Sequence, residues 1–585
     1  MKIVSPKSLA EEESIMLSYL KDYRKEAILA PLFKMLEASF ELFVPLVVAD
    51  LIDVGIGNGN HSYVIRMGLL LILLGIVGLV SAITAQYFSA KAAVGFATKL
   101  RHALFSHIQS LSYTELDTVG TNTLITRMTS DINQVQNGVN LTLRLLLRSP
   151  FIVFGAMIMA FTVDVKAALV FVVAIPLLAI IVFGIMLISM PLYKKVQAAL
   201  DKILGRTREN LSGVRVIRAF CQEDKEIVSF TEENNTLSDL QVFVGKISAL
   251  MNPLTYIIVN GALIVLLYIG AIRVDAAIIT QGAVVALVNY MSQILTELVK
   301  LANLIIQLTK AVACGKRVSA VMAIENSQQW EETVKELETD SENAVVFDHV
   351  SLTYAGAGEE SLTDIDFVAP KGTTVGIIGG TGSGKSSVVN LIPRFYDATK
   401  GTVSLFGKDV TTYDKETLRN QIGIVPQKAV LFAGTIRENL CWGNENATDE
   451  DLWKALETAQ ALDFVKEKRG QLDFEVTQGG KNLSGGQRQR LTIARALVRN
   501  PKVLILDDSA SALDYATDAK LRMAIRNLQK NMTVFIVSQR AASIMHADQI
   551  LVLDDGNMVG KGTHEELLQT NEVYQEIYYS QFPKA

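Results

Sequence analysis

The sequence predicts two structural classes joined end to end, an all-α six-helix transmembrane domain fused to an α/β P-loop domain. Three observations predict it. Long charge-free stretches crowd the first half of the chain, half of all 585 residues are hydrophobic with only 20% charged, and from Val345 onward short β-rich runs alternate with Gly-punctuated helical stretches. A mean hydropathy of +0.29 leaves too little polar surface for a water-soluble chain of this size.

A spanning helix needs about 20 apolar residues, because it rises about 1.5 Å per residue through about 30 Å of hydrocarbon. No charged side chain lies between Arg66 and Lys91, Lys166 and Lys194, Lys246 and Arg273, or Asp275 and Glu297. Ala27 to Ile52, apolar apart from Lys34, Glu37, Glu41 and Asp50, and Leu143 to Val163, apolar after Arg148, raise the expected number of spans to six. The links at Gly55 to Tyr63, Asp164 to Lys166 and Arg273 to Asp275 are short. Those at Lys91 to Leu141 and Lys194 to Lys246 are long, helical in pattern and rich in Lys and Arg. The positive-inside tendency assigns the long links to the cytosol. They are expected to be membrane helices that run on into the cytosol and return through short connecting helices, since structureless loops of that length are uncommon. Both termini are then cytoplasmic. Glu11, Glu12 and Glu13 precede the first apolar stretch, unlike the basic start of a cleavable signal peptide, so insertion is expected to rely on the membrane helices.

The expected organisation is an N-terminal cytosolic elbow over 1–26, the transmembrane domain over 27–324, a Glu-rich exposed linker over 325–344 and a nucleotide-binding domain over 345–585. In that last domain strands are expected at Ala344 to Phe347, Thr374 to Ile378, Gly423 to Val425, Val503 to Leu506, Val534 to Val537 and Ile550 to Leu553. Alternation with helices implies a largely parallel sheet. The net charge of −5 excludes a strongly basic nucleic-acid binder, so no nucleic-acid partner is expected. Cys221, Cys314 and Cys441 are odd in number and lack metal-ligand spacing, and read as reduced thiols.

Val375 to Ile378 runs straight into Gly379-Gly380-Thr381-Gly382-Ser383-Gly384-Lys385-Ser386-Ser387, and the helical Val388 to Ile392 follows. This is a Walker A loop in its strand-loop-helix context. Glycines let backbone N–H groups turn around a phosphate, the helix N-terminus adds positive potential, Lys385 meets the terminal phosphate oxygens of ATP, and Ser386 is placed to ligate Mg²⁺. Val503-Leu504-Ile505-Leu506 is a buried-type strand that delivers the carboxylate of Asp507 to the C-terminal edge of the sheet, as a Walker B acid holding Mg²⁺ must be delivered.

Between these motifs, Leu483 to Leu497 reads LSGGQRQRLTIARAL. This run resembles the signature segment of ATP-binding cassette (ABC) proteins, and with six spans placed before the cassette the chain resembles an ABC exporter half-transporter. The resemblance implies roles for matching residues. Tyr354 stands where an aromatic stacks on adenine. Gln427 matches the Q-loop glutamine that touches Mg²⁺, and Ser511 to Asp514 matches the D-loop. Ser484, Gly485, Gly486 and Gln487 would act on ATP held by an opposing cassette, because family members sandwich two ATPs between two head-to-tail cassettes. Gly120 to Asp131, and Glu209 to Phe220, resemble the first and second cytosolic loops that dock on a cassette.

Two positions depart from the family pattern. The residue after the Walker B acid is Asp508 where active cassettes carry Glu, and Gln539 replaces the switch histidine. The shorter Asp side chain withdraws the base, and a misplacement of about 1 Å costs on the order of 10²-fold in rate. Gln hydrogen-bonds but takes no positive charge. Gln478 stands where exporters usually have Glu in the X-loop. The pattern is similar to the degenerate-site chain of heterodimeric bacterial multidrug or lipid ABC exporters, which implies an integral protein of the cytoplasmic membrane, a second ABC half-transporter as partner, contact with membrane lipid and an amphipathic small-molecule substrate. Alternatives are a homodimer hydrolysing slowly through Asp508, and an ATP-gated regulator or channel. Lys34 and Glu37 are spaced to pair at i,i+3. Glu41 is the better candidate for a contact with a cationic or amphipathic substrate, with Arg144, Arg148, Asn260, Asn289, Tyr290 and Gln293 as further polar lining.

Overall fold

The computed structural model describes residues 18–330, 341–509, 511–528 and 532–582. The Glu11 to Glu13 run and the middle of the expected linker lie outside them. The chain divides into two compact units. One is built from the chain up to Gln109 with Asn122–Ile324, the other from Ser110–Thr121 with the chain from Glu325 onward.

The first unit is helical. Its long elements are α1 (Arg24–Asp50) and α2 (His61–Ser110), with the short α3 (Tyr113–Val119) following in the chain, then α4 (Thr121–Val163), α5 (Val165–Ser212), the short α6 (Val214–Ala219), α7 (Glu223–Asp275) and α8 (Gln281–Met322). Among the described residues five of these helices are long and apolar enough to cross a membrane. The sixth, α1, carries Lys34, Glu37 and Glu41 inside its apolar run. Helix α2 has 50 residues and therefore extends about 75 Å, more than twice the hydrocarbon thickness. Its apolar window is only 6% buried within the chain, as befits a helix facing lipid or another membrane helix.

Where α1, α4, α5, α7 and α8 pack, small residues allow close approach. Ala38, Ala156, Ala160, Ala167, Ala168 and Ala286 are fully buried beside Phe171, Leu178 and Ile294. A polar network crosses this packing. Arg148 donates to Glu41 at 2.7 Å and to Glu297 at 2.8 Å, and Glu297 also accepts from Lys300 at 2.8 Å and from Ser149 at 2.9 Å. Arg148, Ser149 and Glu297 are buried, so each charge is compensated as an apolar surrounding demands. Lys34 and Glu37 form the expected i,i+3 pair at 2.6 Å. Tyr290 is not cavity lining: it is fully buried and donates to the Leu42 carbonyl at 2.7 Å. Arg148 likewise serves the network as a buried paired cation.

The second unit is the α/β domain. Strands β1 (Asn343–Leu352), β2 (Leu362–Pro370), β3 (Thr374–Gly379), β4 (Lys400–Leu405), β5 (Lys408–Asp409), β6 (Ile422–Val425), β7 (Gly434–Thr435), β8 (Glu475–Val476), β9 (Val503–Asp507), β10 (Thr533–Val537), β11 (Gln549–Asp554) and β12 (Asn557–Gly562) form a ten-stranded sheet ordered β5-β4-β1-β2-β12-β11-β3-β10-β9-β6 and a separate β7–β8 pair. The stretch β11-β3-β10-β9-β6 is parallel, whereas β1 pairs antiparallel with both β2 and β4, β4 with β5, and β11 with β12. All six expected strands lie within the sheet. The antiparallel wing was less legible: β2 alternates buried Ile365 and Phe367 with exposed Asp364 and Asp366, a one-sided pattern weaker than the continuous apolar runs of β3 and β9.

Two segments pack in ways that the sequence does not reveal. Residues 110–121, inside the 27–324 expected for the transmembrane domain, pack within the second compact unit. Tyr113 packs on Phe395 with ring centroids 4.6 Å apart, Tyr396 donates to Asp117 at 2.5 Å, and Ser112 caps α3 through Glu115. The beginning of the expected exposed linker is anchored. Gln328 is buried and donates toward the Arg394 carbonyl at 3.4 Å and Asp397 at 3.3 Å, while Arg394 and Arg419 stack over the Trp330 ring. A Glu-rich composition concealed these two anchor side chains.

Glu297→Ala takes from buried Arg148 one of its two carboxylate partners and from Ser149 its acceptor, leaving the half-exposed Glu41 to balance the guanidinium. It is therefore expected to destabilise the protein by about 1–3 kcal/mol, with a smaller effect for Glu41→Ala. Thermal unfolding of the detergent-solubilised chain checks the order.

Candidate ATP-binding and signature sites

Parallel pairing brings three chain segments to one edge of the sheet. Val537 is level with Ile377 on one side and with Asp507 on the other, so the loop after β3, the carboxylates at the end of β9 and the Ser538-Gln539 turn after β10 emerge together. They line a cavity of about 380 Å³ with Tyr354, Gln427 and the loop that includes Asp555 and Gly556.

The loop from Gly379 wraps the start of α9 (Lys385–Leu391). Gly384 sits at φ +90° and a Cβ there would lie 2.6 Å from Leu362, so glycine is required both by backbone and by space. Lys385 is buried, and its ammonium donates to the carbonyls of Gly379 at 3.0 Å and of Gly380, and to the Ser383 hydroxyl at 3.2 Å. Burial pushes this ammonium below its ordinary pKa, opposed by Asp508 and Asp507. Thr381 and Gly382 are exposed on the outer turn of the loop. Ser386 donates to Asp507 at 3.0 Å, and Ser387 accepts from the Tyr354 hydroxyl at 2.9 Å. Tyr354 packs edge-on against Tyr396, with centroids 5.0 Å apart.

Burial raises the pKa of both Asp507 and Asp508. Gln427, otherwise exposed, reaches Asp508 with its side chain and partly offsets that rise. Asp508 has φ +45°, a left-handed conformation that Asp tolerates better than most residues, and its N–H donates to the Val537 carbonyl at 3.0 Å. Gln539 lines the cavity, and its backbone carbonyl accepts from Gln581 at 2.8 Å.

The signature lies elsewhere. Ser484 caps α10 (Gly485–Val498) in a reciprocal capping box with Gln487, and Ser484 and Gly485 are exposed. Ser484, Gly485, Gly486 and Gln487 do not line the cavity that holds Lys385. Asp514 caps α11 (Tyr515–Arg526) by accepting from the Thr517 N–H at 3.1 Å, and hydrogen bonds from the Thr517 side chain and backbone keep its carboxyl below the usual range. Gln478 is exposed.

Two residues escaped sequence reasoning. Arg540 stacks over Tyr515 at 4.9 Å and leans on the carbonyls of Leu513 and Ser511, tying the D-loop to the turn that carries Gln539. Tyr396 joins Tyr354 to α3. No short motif flags either, because the partners lie far apart in the chain.

Residues 27–298 match the ABC transporter transmembrane region and residues 362–511 match the ABC transporter model. An uncharacterized ABC transporter ATP-binding protein of Mycobacterium tuberculosis is 36% identical over 97% of this chain and 98% of its own. The chain belongs to the ABC transporter family. This ABC transporter is also 35% identical to YfiB of Bacillus subtilis, with 97% and 98% of the two chains covered. It is 30% identical to an ATP-dependent lipid A-core flippase of Yersinia pestis, over 96% of each. Its fold matches a bacterial Atm1-family ABC exporter solved with ATP bound, at a TM-score of 0.76 and 22% identity, covering 96% of this chain and 99% of that one. It is an integral membrane protein whose cassette binds ATP and drives transport.

Because the signature stands outside the cavity, the isolated chain is expected to keep its own ATP affinity in Ser484→Ala. Lys385→Ala is expected to lose about tenfold or more, since it removes the charge-assisted contact to the phosphates. ATP-induced shifts in melting temperature distinguish the two variants.

Proposed function

We propose that this chain is the degenerate-site half of a heterodimeric ABC exporter of amphipathic compounds, its membrane helices carrying drugs or lipids outward while both termini and the cassette remain cytoplasmic. The observation that carries the reading is the composition of one cavity. An unaltered phosphate loop around Lys385 faces Asp508 and Gln539, the two chemical positions where this chain departs from its family, while an unaltered signature lies apart and exposed.

Backbone N–H groups of 380–385 and the Lys385 ammonium hold the phosphates, and Tyr354 offers its ring to adenine. The hydroxyl of Ser386, the carboxylate of Asp507 and the amide of Gln427 form a hard-oxygen donor set that suits Mg²⁺, which when bound neutralises phosphate charge. Asp508 is a short base, and Gln539 supplies a hydrogen bond without charge. This site therefore grips nucleotide and turns it over slowly. Ser484 and Gln487, with Gly485 and Gly486, would complete a hydrolysing site on the partner chain. Docking between chains has apolar surfaces to use: Val216 and Phe220 are exposed at the second cytosolic loop, and the stacked Phe432 and Trp442 are exposed on the cassette. The flippase relative acts on a lipid by its name, which supports an amphipathic substrate here.

In the assembled transporter Asp508→Ala is expected to cost far less ATPase activity than Ser484→Ala. In the assembled transporter with the partner's own catalytic base removed, Asp508→Glu combined with Gln539→His in this chain is expected to raise turnover by roughly 10²-fold over a low starting rate. Steady-state phosphate release measures both. Brisk hydrolysis by the unmodified chain alone, or equal losses in the two alanine variants, defeats the heterodimeric reading and favours a homodimer.

A further inference from the structure

The membrane unit contains a second, larger cavity, of about 700 Å³, lined by α5, α7 and α8 and open on one side. Its walls are mainly apolar and include Met186, Met190 and Met251, flexible side chains that adapt to a ligand of irregular shape. Three features mark it as more than a packing gap. Ser189 is 6% exposed and lines the cavity, yet its hydroxyl has no hydrogen-bond partner among the described residues, unlike Thr309 on another wall, which back-bonds to the Ile305 carbonyl at 2.8 Å. Lys194 and Lys310 both stand at the cavity, and neither forms an ion pair among the described residues. No Asp or Glu is among the lining residues, so the charge presented is uniformly positive.

Position sets the shape of the ligand. Lys194 ends the charge-free run of α5, where the Lys- and Arg-rich extension begins, and Val182 marks the other end of the lining on that helix. Twelve residues of helix separate them, about 18 Å, close to the depth of one leaflet of a roughly 30 Å hydrocarbon core. A lysine pair at the interface with a methionine-walled slot beneath it is complementary to an anion carrying a flexible apolar tail. Glu41, the acid expected to attract a cation, is already matched by Arg148.

We infer that the cavity between α5, α7 and α8 is a binding site for an anionic, single-chain amphiphile, its headgroup held by Lys194 and Lys310 and its tail lying against Met186, Met190 and Met251. This names the substrate class of the export proposed above and rests on that reading. Ser189 would donate to a polar group near the glycerol-like neck of such a molecule.

The test is native mass spectrometry of the full chain released from a neutral detergent, titrated with palmitoyl lysophosphatidic acid and, separately, palmitoyl lysophosphatidylcholine. The phosphatidic probe is expected to bind about tenfold tighter or more, and Lys194→Gln with Lys310→Gln to bring the two probes level. Met186→Phe with Ser189→Phe, which fills the slot, is expected to weaken both probes. If the double lysine variant folds poorly, Lys310→Gln alone and the salt dependence of the unmodified chain give the same decision. Equal affinity of the two probes in the unmodified chain, indifference to the lysine substitutions, or no bound probe at all overturns the inference. An unaltered ATP-induced melting shift certifies each variant as folded. The ATPase comparison of Asp508 and Ser484 variants is independent of this outcome, so failure here and failure of the heterodimeric reading are told apart.

Discussion

Parallel hydrogen bonding between β3, β10 and β9 is the constraint on which the cassette depends. A parallel ladder fixes which residues stand level, and here it aligns Ile377, Val537 and Asp507. Each strand then continues by only one or two residues before its chemistry appears: the phosphate loop after β3, Gln539 after β10, and Asp508 immediately after Asp507. A slip of one residue in any strand would turn its side chains to the opposite face and disperse the set. Val375 to Ile378 and Val503 to Leu506 are buried on both faces of the sheet, and Gly376 helps hold the register, because a Cβ in its place would meet Ile544 at 2.8 Å.

In the membrane unit the corresponding constraint is charge compensation. Apolar surroundings offer a charged side chain no water, so Arg148 is held by carboxylates from two other helices, Glu41 of α1 and Glu297 of α8. The same rule makes the lysines of the large cavity, which form no ion pair among the described residues, informative. Where a charge has been neutralised by the fold it serves structure, and where it faces an adaptable apolar slot without a partner it is available to a ligand.

Much of the nucleotide site was legible from local patterns. A strand followed by glycines, Lys385 and Ser386 specifies a phosphate loop through backbone geometry alone, and the terminal carboxylate of a continuous apolar run can only emerge at a sheet edge. Arg540 and Tyr396 were not legible. Their importance arises, for Arg540, from the ring of Tyr515 at the start of α11 and, for Tyr396, from Asp117 of α3, 279 residues away, and no periodicity encodes such contacts. The same applies to Tyr290 and Trp330, whose residue types fit either a cavity wall or a packed core until the surrounding helices and loops are in place.

By itself, then, the amino-acid sequence determined the two fold classes, the apolar spans, the phosphate loop, the signature and the two departures at Asp508 and Gln539. These rest on short-range rules: helix rise against bilayer thickness, glycine backbone freedom, and the identity of adjacent residues. Only the tertiary structure decided that α3 packs with the cassette unit, that Arg148 and Tyr290 are buried structural groups, and that Ser189, Lys194 and Lys310 share one cavity. Those outcomes depend on which distant surfaces meet, and burial and pairing of a side chain are set by its neighbours in space.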